Sequence, residues 1–243
     1  MHHTVKITDK IHWIGVNDRK THLFENLWPL DNGISYNSYL INDEQVALID
    51  TVHNCSAEAY IAKIQDIIGM DRSIDYLIIN HMEPDHSGAI KAIVEKFPDI
   101  QIIGNKKTFK MLEAYYGFRE HLYEINNDDE LKLGDHHLKF VMTPWVHWPE
   151  TMMTYEKSSK MLFSGDAFGT FGALDEGIFD DEINFDFYSD EMRRYFSNIV
   201  GKYSNMVQKA FKKLEGIEIN IVASTHGPIW RSEPQKVLSL YDR

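Results

Sequence analysis

One stretch constrains this chain more than any other, YLIINHMEPDHSGAI at residues 76–90. It begins with a short apolar run, LII, which is typical of a buried strand. Beyond the run, His81, Glu83 and Asp85 occupy every second position, and His86 follows directly. Because side chains alternate along an extended backbone, we expect the first three of these residues to project to one side. The four potential ligands predict a metal site where the strand ends.

The residues after this motif predict a helix. Ser87 is a favoured N-cap residue, and residues 88–97 have amphipathic helical spacing. A solvated polar loop is the alternative interpretation of the HMEPDH segment. The close spacing of imidazole and carboxylate groups along the sequence favours the metal site over that alternative.

The ligand atoms indicate which metal would bind. Imidazole and carboxylate without thiolate suit zinc, manganese and iron. Hydrolytic zinc enzymes with a similar motif read HxHxDH, whereas this chain has Glu83 at the third position. A harder, anionic donor at that position shifts the preference from zinc towards iron.

Composition narrows the class of protein. At 243 residues the chain can hold one large domain or two small ones. A net charge of −12 argues against nucleic acid or an anionic membrane as partner. No apolar run approaches the ~20 residues that span a membrane, and the N-terminus has no signal-peptide core. The single cysteine, Cys55, allows no intramolecular disulfide. We therefore expect a cytoplasmic protein.

Hydrophobic periodicity predicts two successive halves of strands and helices. In the first half we predict strands at residues 5–8, 11–16, 36–41, 46–50, 77–79, 101–104 and 122–125, with helices at 56–68, 88–97 and 106–116. In the second half we predict strands at 131–133, 137–142, 152–155, 161–163 and 219–223, with helices at 190–214 and 234–241. Such halves indicate an α/β fold in which two sheets pack face to face with helices outside, a four-layer αβ/βα sandwich. The acidic segment 175–190 predicts a surface loop near the site.

Three further ligand candidates follow strands of the second half. His147 follows the strand at 137–142, Asp166 lies in SGDAFG, and His226 lies in STHGP. Considered separately, His147 is explained as a surface loop residue, Asp166 as a turn residue and His226 as a buried hydrogen-bonded imidazole. Their shared placement just beyond strand ends favours a role as ligands, because ligands in α/β folds gather there.

These motifs together closely resemble the flavodiiron proteins. The resemblance rests on HMEPDH, PWVHWPETM around His147, LFSGDAFG and STHGPIW, and FENLWPLDNGISYNSYLI at 24–41 is similar to that family's N-terminal hairpin region. It covers essentially the whole chain. In that family a metallo-β-lactamase-like domain holds two non-haem irons, so the resemblance implies that fold and a diiron centre.

The resemblance also implies a ligand set. Carried over to matching positions, it gives one iron His81, Glu83 and His147, gives the other Asp85, His86 and His226, and makes Asp166 the bridge. The implied centre also has a hydroxo or oxo bridge. With hydroxide as the bridge, three carboxylates would balance the four charges of two ferrous ions and avoid burying an uncompensated charge. Metals about 3.5 Å apart could then hold both atoms of a diatomic ligand.

The chain departs from the family at its C-terminus. Flavodiiron proteins continue into a flavodoxin-like domain whose FMN feeds electrons to the irons of the opposite subunit. Here the sequence ends at Arg243, which leaves no room for a domain of on the order of 150 residues. We therefore expect a single diiron domain over residues 1–243, without a flavodoxin domain and without bound FMN.

Three functions are consistent with the sequence. The favoured one is a diiron protein that binds O2, or NO, and reports oxygen to a signalling partner, because a diferrous pair cannot turn over without a donor. The second is a reductase of O2 or NO served by a separate flavin or rubredoxin donor. The third is a metallo-hydrolase. We also expect a homodimer.

Aromatic residues close in sequence to the ligands predict the character of the pocket. Trp145, Trp148, Phe168 and Phe171 would wall a dry, narrow approach, although ordinary core packing explains any one of them. Such an approach suits small, nearly apolar O2 and NO, whereas a hydrolase needs an open polar groove. Left exposed, the two tryptophans and Phe171 would also supply surface for a second subunit.

Overall fold

The apolar strands assemble into two large sheets. In the computed structural model, which describes residues 4–241, seven strands form the first sheet and five the second, and two small two-stranded sheets accompany them. The strands are β1 (Val5–Lys6), β2 (Ile11–Trp13), β3 (Val16–Asp18), β4 (Leu23–Phe24), β5 (Trp28–Pro29), β6 (Ile34–Tyr36), β7 (Tyr39–Asn42), β8 (Val46–Ile49), β9 (Tyr76–Ile78), β10 (Gln101–Gly104), β11 (Leu122–Glu124), β12 (Glu130–Lys132), β13 (His137–Met142), β14 (Met152–Glu156), β15 (Met161–Gly165) and β16 (Ile221–Ser224). The predicted domain ends at residues 1 and 243 lie outside the described residues.

Strand order places β9 and β15 inside the two sheets and β16 at the edge of the second. The first sheet has the order β1-β2-β7-β8-β9-β10-β11, with β8 to β11 parallel. The second has the order β12-β13-β14-β15-β16, in which only β15 and β16 run parallel. The segments that carry the candidate ligands leave the carboxyl ends of β9, β15 and β16, where parallel strands of an α/β fold collect their binding residues.

The helices are α1 (Ala57–Ile68), α2 (Pro84–Ser87), α3 (Ile90–Lys96), α4 (Lys106–Tyr116), α5 (Phe185–Tyr195), α6 (Ser204–Leu214) and α7 (Pro234–Tyr241). Within residues 4–241, no helix combines the length and apolar character needed to cross a membrane.

Two apolar layers hold the sheets and helices together. Between the sheets, Tyr39 and Ile78 meet Phe140 and Phe163, and the rings of Tyr39 and Phe163 lie 5.1 Å apart. A second buried cluster joins the outer sheet faces to the helices, which explains why all four residues of β8 are apolar and buried. The predicted four-layer αβ/βα sandwich is confirmed.

The helix expected at 88–97 differs from the prediction. It divides into α2 and α3, and Ser87 caps neither, because its hydroxyl donates to the carbonyl of Met82 at 3.0 Å. Gly88 separates the two helices at a close approach, since a Cβ there would lie 2.7 Å from the backbone nitrogen of Asn54. Close packing between segments thus interrupts a pattern that reads as one helix.

The helix expected at 190–214 starts earlier and is interrupted. Asn184 caps α5 by accepting from the backbone N–H of Asp186 at 3.1 Å, so the loop prediction for 175–190 is wrong beyond Asn184. A π-helical turn at Phe196–Val200 and a 3-10 turn at Gly201–Tyr203 separate α5 from α6. Within the preceding loop Phe179 is buried between the sheets rather than lying on the surface.

The buried side chain of Asn37 ties the first sheet to the loop after β16. Its carbonyl oxygen accepts from Trp13 Nε1 at 2.8 Å, and its amide donates to the carbonyls of Ser224 and Gly227 at 3.0 and 2.8 Å. The hydroxyl of Tyr39 donates to the same Ser224 carbonyl at 2.6 Å. These bonds set the position of His226, which lies between Ser224 and Gly227.

We expect Asn37→Ala to lower the free energy of unfolding by ~3 kcal/mol, because it removes three buried hydrogen bonds and leaves Trp13 Nε1 and the Gly227 carbonyl without this partner. Chemical denaturation monitored by tryptophan fluorescence measures the loss. Tyr39→Phe is the matched control: it removes one hydrogen bond and should cost about 1 kcal/mol. An Asn37→Ala variant no less stable than Tyr39→Phe would contradict this account.

Candidate metal centre

The first group of candidate ligands leaves β9 in two steps. Glu83 has an extended backbone, at φ −59° and ψ 142°, and Pro84 then opens α2. Because proline favours the first turn of a helix, Asp85 and His86 lie on a helical turn and not on the extended segment. The prediction that Asp85 projects to the same side as His81 and Glu83 is therefore wrong. The motif directs its side chains to two different places.

The remaining candidates come from the second sheet and its loops. His147 lies in the turn between β13 and β14, and His226 lies two residues beyond the end of β16. Asp166 directly follows β15, where Gly165 has a φ of +61° that favours glycine. Three separate loops thus converge on the segment that follows β9.

The side chains gather into two adjacent clusters. All seven are buried, and within each cluster the potential ligand atoms lie within 4.8 Å of one another. The first cluster consists of His81, Glu83, His147 and Asp166, and the second of Asp85, His86 and His226. This grouping is the one that the flavodiiron resemblance implies.

Asp166 lies between the two clusters with one carboxylate oxygen towards each. Oδ2 is 3.0 Å from His147 Nε2 and 3.5 Å from His81 Nε2. Oδ1 is 2.9 Å from His86 Nε2 and 3.7 Å from His226 Nε2, and it accepts a hydrogen bond from Thr225 Oγ1 at 2.7 Å. One carboxylate is thus placed to bridge two metal ions.

Unsatisfied buried atoms show that the second cluster fits a cation. Among residues 4–241, both carboxylate oxygens of Asp85 and the Nε2 atoms of His86 and His226 are buried without a hydrogen-bond partner. Asp85 Oδ2 nevertheless lies 3.3 Å from each of those nitrogens. Buried carboxylate oxygens and imidazole nitrogens without hydrogen-bond partners are costly, and a metal ion that coordinates them would remove this cost.

Neighbouring acceptors orient two of the histidines. Glu150 Oε1 lies 2.7 Å from His81 Nδ1 and also accepts from the backbone N–H of Met82 at 2.9 Å. His226 Nδ1 lies 2.8 Å from the carbonyl of Ser35, which can only accept. With Nδ1 carrying the proton, Nε2 of each ring presents its lone pair to the cluster, as metal ligation requires.

The electrostatics of the site favour positive charge. Burial alone would lower the pKa of His147 and His86, but the nearby carboxylates of Asp166, Glu83 and Asp85 outweigh it and raise both pKa values to about 9. The pKa of Asp166 lies well below its usual value, since the facing imidazoles overcome the effect of burial. Bound metal ions would replace the protons that these pKa values imply.

Three residues beside the candidate ligands have no signal in the sequence that identifies them. Glu150 orients His81 from three residues beyond His147. The buried hydroxyl of Tyr195 has no hydrogen-bond partner among the described residues, and the ring lies 5.4 Å from that of His226. A hydrogen bond to Glu83, together with partial burial, raises the pKa of Glu25 to about 8. All three relationships depend on tertiary packing.

A cavity of about 420 Å³ leads to the clusters. Trp148 lines it, with its ring 5.2 Å from that of His81 and 6.2 Å from that of His147. Glu25, His53 and other polar groups also line it, so the expected dry, narrow approach is only partly present.

The other aromatic residues lie elsewhere. Phe168 packs against Tyr241, and Phe171 packs against Tyr195 with no exposure, so Phe171 offers no surface to a partner. Trp145 is 43% exposed and does not line the cavity.

Comparison with known proteins agrees with this geometry. The family model described as "ODP family beta lactamase" matches residues 34–227. A curated nitric oxide reductase of Moorella thermoacetica is 35% identical over 247 residues, and the match covers 100% of this chain and 61% of that protein.

Solved structures show the same likeness. The flavodiiron protein of Giardia intestinalis superposes with a TM-score of 0.94 at 31% identity, covering 99% of this chain and 59% of that one. Rubredoxin oxygen:oxidoreductase of Desulfovibrio gigas gives a TM-score of 0.94 at 29% identity, covering 99% and 61%. The chain thus spans about three fifths of the length of these relatives. It belongs to the ODP family of β-lactamase-like proteins and corresponds to the metallo-β-lactamase-like diiron domain of the flavodiiron proteins.

Proposed function

We propose that this chain holds two irons and reduces NO or O2 with electrons from a separate flavin or rubredoxin donor. The observation that carries the proposal is the position of Asp166, which directs one oxygen at each of two buried clusters. The printed names of similar proteins, a nitric oxide reductase and a rubredoxin oxygen:oxidoreductase, support this reaction class.

The donor set decides what the bound metals would supply. With four imidazoles and three carboxylates, two ferrous ions would supply electrons and neighbouring open positions for a diatomic substrate. The three carboxylates are Glu83, Asp85 and Asp166, and their negative charge offsets most of the charge of two divalent ions. Glu83 in place of a third imidazole in HxHxDH favours iron over the zinc of a hydrolase.

The protein's own groups position and shield the site. Asp166 sets the spacing of the two clusters, and Glu150 fixes the orientation of His81. Trp148 covers two imidazoles on the cavity side and limits the access of water to them. The unpartnered hydroxyl of Tyr195 is available to donate a hydrogen bond to a substrate bound near His226.

We favour the reduction of NO or O2 over oxygen sensing. The similar proteins with named activities are reductases, and no contact among the described residues favours a signalling role. Oxygen sensing, the homodimer and a chain without FMN stay predictions.

We expect anaerobically reconstituted protein to bind two irons per chain. Asp166→Ala should lose at least one iron, because both clusters use that carboxylate. His226→Ala should retain about one, because only the second cluster contains that imidazole. Metal analysis after removal of loosely bound iron measures the stoichiometry.

His53→Ala is the matched control for the iron measurement. His53 and His226 both contact the ring of Tyr36, at 5.9 Å each, but His53 belongs to neither cluster. The control should therefore keep two irons. Stoichiometric zinc in fully active protein, with iron absent, would contradict the proposed reductase and favour a metallo-hydrolase.

We expect the iron-loaded protein to consume NO or O2 through many turnovers when a small reductant, photoreduced 5-deazariboflavin, supplies the electrons. Gas chromatography of N2O and an oxygen electrode measure the two reactions. Consumption that stops once the electrons stored in one iron pair are spent would contradict the reductase and favour an oxygen-binding protein. Asp166→Ala should show neither activity.

A further inference from the structure

Trp145, on the loop that carries His147, is exposed and forms an aromatic pair with the half-buried Tyr203. Trp145 is 43% exposed, and its ring stacks on that of Tyr203 with centroids 6.1 Å apart and an interplanar angle of 22°. Tyr203 belongs to the 3-10 turn before α6, so the pair joins the ligand loop to a helix on the outer face of the second sheet. Exposed stacked aromatics of this kind favour a contact surface over packing within the fold.

Five lysines surround this pair. Lys107 Nζ donates to the carbonyl of Pro149 at 3.1 Å, and Lys213 Nζ donates to that of Met142. Lys202 Nζ lies 5.6 Å from the ring centre of Tyr203. Lys209 and Lys213 line one groove with Pro144, and Lys106 and Lys107 line a second with Pro144 and Pro149. The surface is called the lysine patch, and its residues are Trp145, Tyr203, Lys106, Lys107, Lys202, Lys209 and Lys213.

The lysine patch carries an excess of positive charge, because its five lysines outnumber the exposed carboxylate of Glu124, which lines one groove with Lys106 and Lys107. Within residues 4–241 none of its lysines forms an ion pair with a carboxylate. Of the acidic residues beside it, Asp128 pairs with Lys139 at 2.7 Å. Since the chain as a whole carries a net charge of −12, this face is opposite in sign to the protein. The acidic remainder of the surface would repel an acidic partner, and the lysine patch would attract it.

The patch has a short connection to the first cluster. The backbone N–H of Trp145 donates to the carbonyl of Trp148 at 2.7 Å, which closes a tight turn around His147. The ring of Trp148 then meets those of His81 and His147 edge to face, at 5.2 and 6.2 Å. A donor docked on Trp145 would therefore be separated from the candidate ligands by one turn of chain.

We propose that the lysine patch docks a small acidic protein that carries one electron. Each docking event oxidises the carrier by one electron and reduces the diiron centre by one. This inference rests on the proposed reduction of NO or O2, and it adds the place at which the electrons arrive. An extended polyanion such as nucleic acid fits less well, because the acidic remainder of the surface would repel it.

Binding of zinc-substituted rubredoxin, an acidic and redox-inert probe, tests the docking surface directly. We expect the triple variant Lys106→Glu/Lys202→Glu/Lys209→Glu to bind the probe more weakly. Calorimetry at low ionic strength should show that its Kd is at least tenfold higher than that of the parent. All three side chains are exposed, and none donates to a backbone carbonyl in the described structure. Lys132→Glu should bind like the parent, because Lys132 pairs with His137 at the far end of β13 from Met142.

Reduction of the oxidised iron-loaded protein under argon provides the second readout. The triple variant should slow reduction by reduced rubredoxin at least tenfold but leave unchanged the rate with photoreduced 5-deazariboflavin, which is small and neutral. Unchanged rubredoxin binding and rate would overturn the docking proposal, as would equal slowing with both donors or tighter binding of duplex DNA than of rubredoxin. A parent protein that neither donor reduces would instead contradict the proposed function.

Discussion

The confinement of three carboxylates and four imidazoles in one buried space is the constraint on which this structure depends. An unpaired buried charge is too costly to persist, so the site must hold either protons or cations. The histidine pKa values near 9 indicate that protons take this role when metal is absent. Asp166 makes the arrangement binuclear, since each of its oxygens serves a different cluster.

The two-sheet architecture satisfies this constraint by bringing loops from both sheets to one edge. The segment after β9 supplies ligands to both clusters, and the loops after β13, β15 and β16 supply the rest. Bonds from Asn37 to the loop after β16, and from Glu150 to His81, fix the two contributions relative to each other. Stability and site geometry are therefore coupled, because the same polar contacts that join the sheets also position the ligands.

Much of this organisation could be predicted from local sequence. Hydrophobic periodicity indicates most strands and the sandwich, because strands buried on both faces are continuously apolar. Spacing alone failed where a proline or tertiary packing sets the direction of a side chain. Pro84 turns Asp85 away from Glu83, and only the family resemblance divided the ligands into two sets. Aromatic residues near the ligands in sequence proved to be core (Phe168), cavity wall (Trp148) or exposed surface (Trp145), because direction depends on packing.

The most direct test of the central claim is anomalous diffraction at the iron absorption edge from crystals of the iron-loaded protein. We expect two peaks about 3.5 Å apart, one in each cluster, with the Asp166 carboxylate between them and one of its oxygens bound to each. A single peak, or two peaks of which Asp166 contacts only one, would contradict it.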